Sequence, residues 1–306
     1  MAQRQPLHLV SFEPSSAARD FLAEYQYSGS PKTLRNYEEV LTRSLLPWLR
    51  QAGAFQLGDV TPAMVANWLT AERSRGLAPS SVAARYQKAH RFFAWCVERD
   101  LLRVSPMERM RRPRTPDAAV EAFSPDQVAR LWYVLNTKPG WTGARDRALV
   151  AFLLGTGARA SEACGLALGD VDFARRRAIL HGKGQHDRRV TLGKGTFRAL
   201  RDYLAVRPAC HFPQLWVTLR REPLRYSALE MMIRRLGEFA DVDDCHPHRF
   251  RHTFATEYFR GCRDILAVRS ALGHASVEVT MRYLRALGCD YAAESGARTP
   301  DEWLLG

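Results

Sequence analysis

Three kinds of side chain that can act on a phosphodiester occur together near the C-terminus. His248 and Arg251 stand three residues apart, His274 follows a Leu-Gly pair, and Tyr283 comes nine positions after His274. An arginine guanidinium can bind two phosphate oxygens at once, and a histidine can move a proton near neutral pH. A tyrosine oxygen can attack phosphorus and form a covalent link. These residue types could therefore act together on a phosphodiester, although helical spacing alone would make Tyr283 a core tyrosine.

Two segments upstream carry further cationic groups. Arg159 follows a glycine-containing turn and precedes a helical pattern, and backbone N–H groups at a helix start favour an anion. Lys183 lies in a Gly-Lys-Gly turn inside a predicted β-hairpin over 177–192. The alternatives are a surface arginine at a helix corner and a solvated lysine at a hairpin tip.

Together these segments resemble the tyrosine recombinase family, the phage integrase and Xer-type site-specific recombinases. The family pattern is His-x-x-Arg-His, about twenty residues, Leu-Gly-His, and then a tyrosine nine positions on. Upstream it has Thr-Gly-x-Arg-x-Ser-Glu and a hairpin Gly-Lys-Gly, and this chain fills every one of these positions. It departs only where many members carry a second basic residue in the hairpin, because His186 stands there.

The resemblance implies that Tyr283 attacks a backbone phosphorus and leaves a 3′-phosphotyrosine with a free 5′ hydroxyl. Arg159 and Arg251 would bracket the non-bridging oxygens as negative charge develops. The link retains the bond energy, so the resemblance implies no cofactor, with neither ATP nor metal required.

Four other residues receive roles from the same resemblance. His248 would take the proton of the attacking tyrosine, and Lys183 would protonate the leaving oxygen. His274 would donate a hydrogen bond to the phosphate, and Glu162 would orient its neighbours.

The elements that must position these residues are mainly helical. We expect a mainly α fold with a small antiparallel β-sheet, in two domains. Apolar residues recur at helical spacing in these ranges: 16–27, 31–52, 61–76, 79 onward, 124–136, 142–156, 195–206, 226–240, 248–259, 264–272 and 276–287. The apolar run 215–218 is expected to add a third strand to the hairpin.

The chain is expected to divide at a basic, proline-containing linker over 109–122. A helical domain over 13–108 resembles the family's core-binding domain, and a catalytic domain covers 123–291. A tail over 292–306 contains a short apolar helix around Trp303, a candidate for packing on a neighbouring protomer.

Basic residues on the fourth helix and in the linker are candidate DNA contacts. They are Arg85, Lys88, Arg91, Arg111 and Arg112. The alternative is a helical domain with solvated arginines.

The charge balance favours a polyanionic partner. The sequence holds 45 Lys and Arg against 32 Asp and Glu, a formal net charge of +13. Nucleic acid is the first expectation and an acidic membrane surface the second. The resemblance specifies double-stranded DNA recombination sites bound by a homotetramer, possible accessory DNA-binding proteins, and no membrane partner. Six scattered cysteines and the absence of a long apolar run predict a soluble, intracellular protein. The resemblance implies a cytoplasmic, nucleoid-associated protein of a bacterium.

Rival chemistries exist at some of the same residues. A cluster of Cys245, His246, His248 and His252 could suggest zinc, but its spacing matches no common site. The pairs Asp170/Asp172 and Asp243/Asp244 could hold Mg²⁺, although turn and cap roles are favoured. No phosphate-binding loop of the G-x-x-x-x-G-K-[ST] type occurs.

Two other functions stay open at this point. One is a DNA-binding protein of this fold that does not cut, against which the complete residue set argues. The other is a nicking-closing topoisomerase with the same chemistry and no partner site.

Overall fold

The computed structural model describes residues 12–28, 31–115, 121–182 and 187–273. Lys183, His274, Tyr283, the predicted helix 276–287 and the tail 292–306 lie outside the described residues. Backbone proximity divides the chain into two compact units, Met1–Ala118 and Ala119–Gly306. The division falls within the predicted linker.

The first unit is helical. Its helices are α1 (Pro14–Ser28), α2 (Pro31–Val40), α3 (Leu46–Gln51), α4 (Pro62–Ser74) and α5 (Pro79–Glu98). Prolines open α4 and α5, where the missing N–H costs nothing, and Thr61 caps α4 by accepting from the backbone N–H of Met64. The core of this unit includes these fully buried side chains: Phe21, Leu41, Leu45, Leu49, Phe92 and Phe93.

The helix predicted over 31–52 is present from Pro31 to Gln51, with an irregularity at its centre that the sequence analysis did not predict. A π-helical turn, Leu41–Leu45, separates α2 from α3, and the backbone N–H of Leu46 bonds the carbonyl of Leu41. Pro47 explains the turn, because proline has no N–H to donate and its ring clashes with the carbonyl four residues earlier.

The second unit is built around a buried helix. Its helices are α6 (Pro125–Thr137), α7 (Gly140–Thr156), α8 (Ala160–Gly165), α9 (Lys194–Val206), α10 (Tyr226–Ala240), α11 (Pro247–Cys262) and α12 (Ile265–Leu272). Helix α7 packs against both α9 and α11. Leu149, Phe152 and Leu153 of α7 are fully buried, so this helix forms the centre of the core.

The sheet has three short antiparallel strands in the order β1 (Val171–Asp172), β2 (Arg177–Leu180) and β3 (Arg188–Thr191). Ala178 pairs with Val190 and Leu180 with Arg188. The predicted hairpin is thus present, and the mainly α fold class with a small antiparallel sheet is confirmed.

The third strand was predicted at the wrong place. The run 215–218 forms no strand of the sheet, although Leu215, Trp216 and Val217 are fully buried in the core. Its backbone forms two isolated bridges, Ala167 with Gln214 and Val217 with Pro223, and does not join the ladder of the three-stranded sheet. Within the described ranges, no helix is both long enough and apolar enough to cross a membrane.

Candidate active site

Four of the seven predicted catalytic and supporting residues lie in the described part of the chain. Arg159 and Glu162 belong to the start of α8, and His248 and Arg251 to the first turns of α11. Hydrogen bonds connect Arg159 with Glu162 and Arg251 with the turn before Arg159, and His248 lies close enough to both arginines for their charges to affect its pKa.

The turn between α7 and α8 lies against the ring of Phe254, at a distance that only glycine allows. Gly157 ends α7 in the left-handed region, with φ of +60°, and a Cβ there would lie 2.3 Å from Cδ1 of Phe254. Any other residue would both strain the backbone and collide with the ring. Two residues later, Arg159 takes an extended conformation and serves as the N-cap position of α8.

Glu162 is the centre of the hydrogen-bond network, with its side chain only 2% exposed. Its Oε2 accepts from the backbone N–H of Arg159 at 2.8 Å, and its Oε1 accepts from Nη1 of Arg159 at 2.7 Å. Burial alone would raise the pKa of this carboxyl. Hydrogen bonds from Arg188 and Arg159 outweigh burial and lower the pKa to about 2, so Glu162 is ionised at neutral pH.

Arg251 joins two chain segments that are distant in sequence. It is 2% exposed, and its Nη1 donates to the carbonyl of Gly157 at 2.7 Å. Its Nη2 donates to the carbonyl of Leu272 at 2.7 Å, in the last turn of α12. One guanidinium therefore fixes both the turn that precedes Arg159 and the segment that leads towards His274.

His248 is poised as a proton acceptor. It lies at the surface of the site, yet the surrounding protein desolvates its ring and so lowers its pKa. The positive charges of Arg251, His246 and Arg159 lower the pKa further, in that order. His248 is therefore neutral near pH 7, the form that can accept a proton.

Arg188 is a member of this network that the sequence analysis missed. Its Nη1 and Nη2 donate to Oε1 and Oε2 of Glu162, each at 2.8 Å. Its Nε donates to the carbonyl of Ala271 at 3.1 Å. Alternation along β3 could have indicated it, because Arg188 shares a face with buried Val190 and a charge on that face needs a partner.

Two predicted DNA contacts on α5 are held by carboxylates within their own unit. Arg85 is 18% exposed and lies 3.0 Å from buried Glu72. Arg91 donates to Glu98 at 2.6 Å. Their role in DNA binding stays a prediction, and Arg85 has in addition a structural role as the partner of a buried charge.

The other three predicted DNA contacts are Lys88, Arg111 and Arg112. Nζ of Lys88 lies 3.4 Å from the carbonyl of Ala84, one turn earlier on α5. Arg111 and Arg112 are exposed in the irregular segment after α5, near the end of the first unit. These three also stay predictions.

Three of the candidate metal ligands, Asp170, Asp172 and His246, accept hydrogen bonds from the backbone. Asp170 accepts from the backbone N–H of Ala167 at 2.8 Å and Asp172 from that of Arg175 at 2.9 Å, which confirms the predicted turn roles. His246 caps α11 by accepting from the N–H of Arg249. In the described ranges, no three His, Cys, Asp or Glu residues converge as a metal site would require.

Comparison with known proteins matches both units. The model of the Phage integrase family matches residues 121–288, and that of the Phage integrase, N-terminal SAM-like domain matches residues 18–100. Tyrosine recombinase XerC of Chromohalobacter salexigens is 32% identical over 276 residues, covering 88% of this chain and 91% of that protein. Tyrosine recombinase XerC of Actinobacillus pleuropneumoniae is 30% identical over 259 residues, covering 83% of each.

Solved structures share the fold at lower identity. XerH site-specific recombinase bound to palindromic difH substrate superposes with a TM-score of 0.74 at 18% identity, covering 95% of this chain and 85% of that one. The Tn1549 transposon integrase in complex with a circular intermediate DNA gives 0.73 at 18% identity, covering 89% and 95%.

Proposed function

The chain belongs to the phage integrase family and is a tyrosine-type site-specific recombinase, and we propose that Tyr283 is the nucleophile that cuts and rejoins its DNA. One observation carries the assignment of the site. Arg251 bonds the carbonyl of Gly157, two residues before Arg159, so both arginines belong to one hydrogen-bonded centre. A centre with two guanidinium groups beside a neutral histidine suits a phosphodiester.

The proposed reaction begins with attack on phosphorus. The bond between the Tyr283 oxygen and phosphorus forms as the bond from phosphorus to the 5′ oxygen breaks. Arg159 and Arg251 stabilise the charge that develops on the two non-bridging oxygens. His248 takes the tyrosine proton, which its lowered pKa allows at neutral pH.

The remaining steps involve residues outside the described ranges. Lys183 gives a proton to the departing 5′ oxygen, and His274 donates a hydrogen bond to the phosphate. The 3′-phosphotyrosine link keeps the energy of the broken bond, so a second 5′ hydroxyl reseals the DNA by the reverse reaction. The scheme is balanced in protons and bonds with no metal and no ATP.

The partners follow from the family. XerH and the Tn1549 integrase were solved on DNA, and we propose double-stranded recombination sites as the substrate here. Strand exchange requires four protomers on two sites, with the tail 292–306 as the segment that packs on a neighbour and accessory DNA-binding proteins as possible further partners. A cytoplasmic, nucleoid-associated location in a bacterium is the corresponding proposal.

The test of the nucleophile is covalent trapping. A nicked suicide substrate that loses its free 5′ end should leave a protein–DNA adduct visible on a denaturing gel. Tyr283→Phe should abolish the adduct and leave DNA affinity within about threefold, because a single hydroxyl contributes little to an interface dominated by phosphate contacts.

Tyr258→Phe is the matched control. Tyr258 is partly exposed on α11 and should be dispensable for the adduct. A persistent adduct in Tyr283→Phe, or its loss in Tyr258→Phe alone, would refute the assignment.

A further inference from the structure

We infer that Arg188 is a positioning residue that holds both phosphate-binding arginines, Arg159 through Glu162 and Arg251 through the last turn of α12. This inference deepens the proposed function and rests on it for the roles of Arg159 and Arg251. The contacts that carry it are all between described residues.

The first contact is the bidentate pair with Glu162. The side chain of Arg188 is 10% exposed and that of Glu162 is 2% exposed, with both Nη–Oε distances at 2.8 Å. A carboxylate that accepts two parallel bonds from one planar guanidinium has a fixed orientation. Glu162 then presents one oxygen to the backbone N–H of Arg159 and the other to its Nη1. Arg188 thus fixes the plane of the carboxylate that Arg159 binds.

The second contact reaches the other arginine. Nε of Arg188 donates to the carbonyl of Ala271, and the next carbonyl, that of Leu272, accepts from Arg251. Gly273 follows with φ of +62°, and a Cβ there would lie 3.0 Å from Cδ of Arg188. The end of α12 therefore lies directly on the Arg188 side chain, and its position sets an acceptor of Arg251.

The guanidinium is the group that both contacts require. Arg188 uses Nη1 and Nη2 for two parallel bonds to Glu162 and Nε for a third bond to Ala271, all in the plane of one guanidinium. A lysine has a single nitrogen at the end of a flexible chain and cannot reproduce this arrangement. A residue that served only to neutralise Glu162 would tolerate lysine, whereas a positioning residue would not.

Three variants distinguish a positioning role of Arg188 from simple neutralisation of Glu162. Arg188→Lys keeps the charge, Arg188→Ala removes it, and Arg189→Ala removes the same charge from the exposed face of the same strand. We expect the rate of covalent attachment at saturating DNA to fall about 10- to 100-fold in both Arg188 variants, because a misplacement of about 1 Å in a catalytic group costs about that much. DNA affinity should change less than about threefold, and Arg189→Ala should keep the wild-type attachment rate.

A double-mutant comparison tests the route through Arg159. If Arg188 acts by positioning Arg159, Arg188→Lys should slow attachment far less in an Arg159→Lys background than in the wild type. Full additivity of the two effects would overturn the inference. So would Arg188→Lys cleaving at the wild-type rate.

A spectroscopic measurement gives a readout independent of activity. Side-chain ¹⁵N relaxation at the Nε–H groups of Arg159 and Arg251 should report lower order in Arg188→Lys than in Arg189→Ala. Unchanged order at both groups would also overturn the inference. A wild-type protein that forms no adduct would refute the proposed function, while this measurement would still decide the role of Arg188. If Arg188→Ala does not fold, Arg188→Lys carries both measurements.

Discussion

Arg251→Lys should destabilise the catalytic unit by an amount that its contacts define. Arg251 is almost fully buried and donates from separate nitrogens to the carbonyls of Gly157 and Leu272, each at 2.7 Å. A lysine keeps the charge but has one nitrogen, so it is expected to satisfy one carbonyl and leave the other without this donor. A hydrogen bond to a charged group contributes about 1.5–3 kcal/mol, and an unsatisfied buried acceptor costs about 1–3 kcal/mol, two effects that overlap. We expect a loss of about 2–3 kcal/mol in the free energy of unfolding.

Hydrogen–deuterium exchange of peptides from α7 and α11 measures this loss in the catalytic unit alone, whatever the stability of the N-terminal unit. A loss of about 2–3 kcal/mol corresponds to exchange about 30- to 150-fold faster in the most protected amides, since about 1.4 kcal/mol is a factor of ten. Arg260→Lys is the matched control, because Arg260 lies on the same helix and pairs with Glu257 at the surface. Its effect should stay below about 0.5 kcal/mol. Equal protection in Arg251→Lys and the control would mean that the two buried bonds do not hold the site together.

Two further predictions concern protons. Burial, followed by the charges of His248 and Arg249, lowers the pKa of His252 to about 4 from about 6.5, so the unfolded chain binds more protons between these values. Stability should therefore fall as the pH drops from about 6.5 to 4, by roughly 3 kcal/mol from this group, and denaturation midpoints of His252→Gln should depend less on pH there. Lys183→Ala should slow cleavage by about 10²–10⁴-fold if Lys183 is the general acid. A substrate with sulfur at the bridging 5′ position should largely escape that defect, and equal slowing of both substrates would move the acid role to another residue.

Much of the fold followed from local patterns in the sequence. The ranges 61–76 and 124–136, predicted from apolar residues at helical spacing, are helices α4 and α6, and each begins at a Thr-Pro or Ser-Pro pair, a cap residue followed by a proline. The π turn before Pro47 could have been predicted by the same reasoning, because the proline stands inside the predicted helix 31–52. The misplaced third strand has a different cause. Periodicity cannot tell a short apolar strand from an irregular segment that crosses the core.

The candidate site was predictable where one segment supplies several residues, and not where packing brings segments together. His248 and Arg251 lie one turn apart on α11, so their proximity is local. The bond from Arg251 to Gly157 spans 94 positions, and the pair of Arg188 with Glu162 spans 26. These contacts depend on how α7, α11 and the sheet pack, which no short-range pattern specifies. Arg188 was missed for this reason, although its place on the buried face of β3 was a usable signal.

The charge of the assembled network bears on the chemistry that we propose. Arg159, Arg188 and Arg251 carry three positive charges, and the one carboxylate among them, Glu162, stays ionised because its pKa is about 2. Two positive charges therefore remain for the substrate. A phosphodiester in the ground state carries one negative charge, whereas the phosphorane-like transition state carries close to two. A fixed centre with two positive charges binds the transition state more strongly than the ground-state phosphodiester. This difference in binding is what accelerates a reaction.

The same excess of positive charge adds to the effect of burial on His248. Burial lowers its pKa most, and the charges of Arg251, His246 and Arg159 lower it further, so the network that we propose to bind the phosphate also favours the neutral histidine. Replacing Glu162 by glutamine would raise the local positive charge but release Arg159 from its carboxylate. If positioning matters more than net charge, Glu162→Gln should slow covalent attachment even though it makes the site more attractive to DNA. A Glu162→Gln protein that binds DNA more tightly and cleaves faster would show instead that charge alone governs the site.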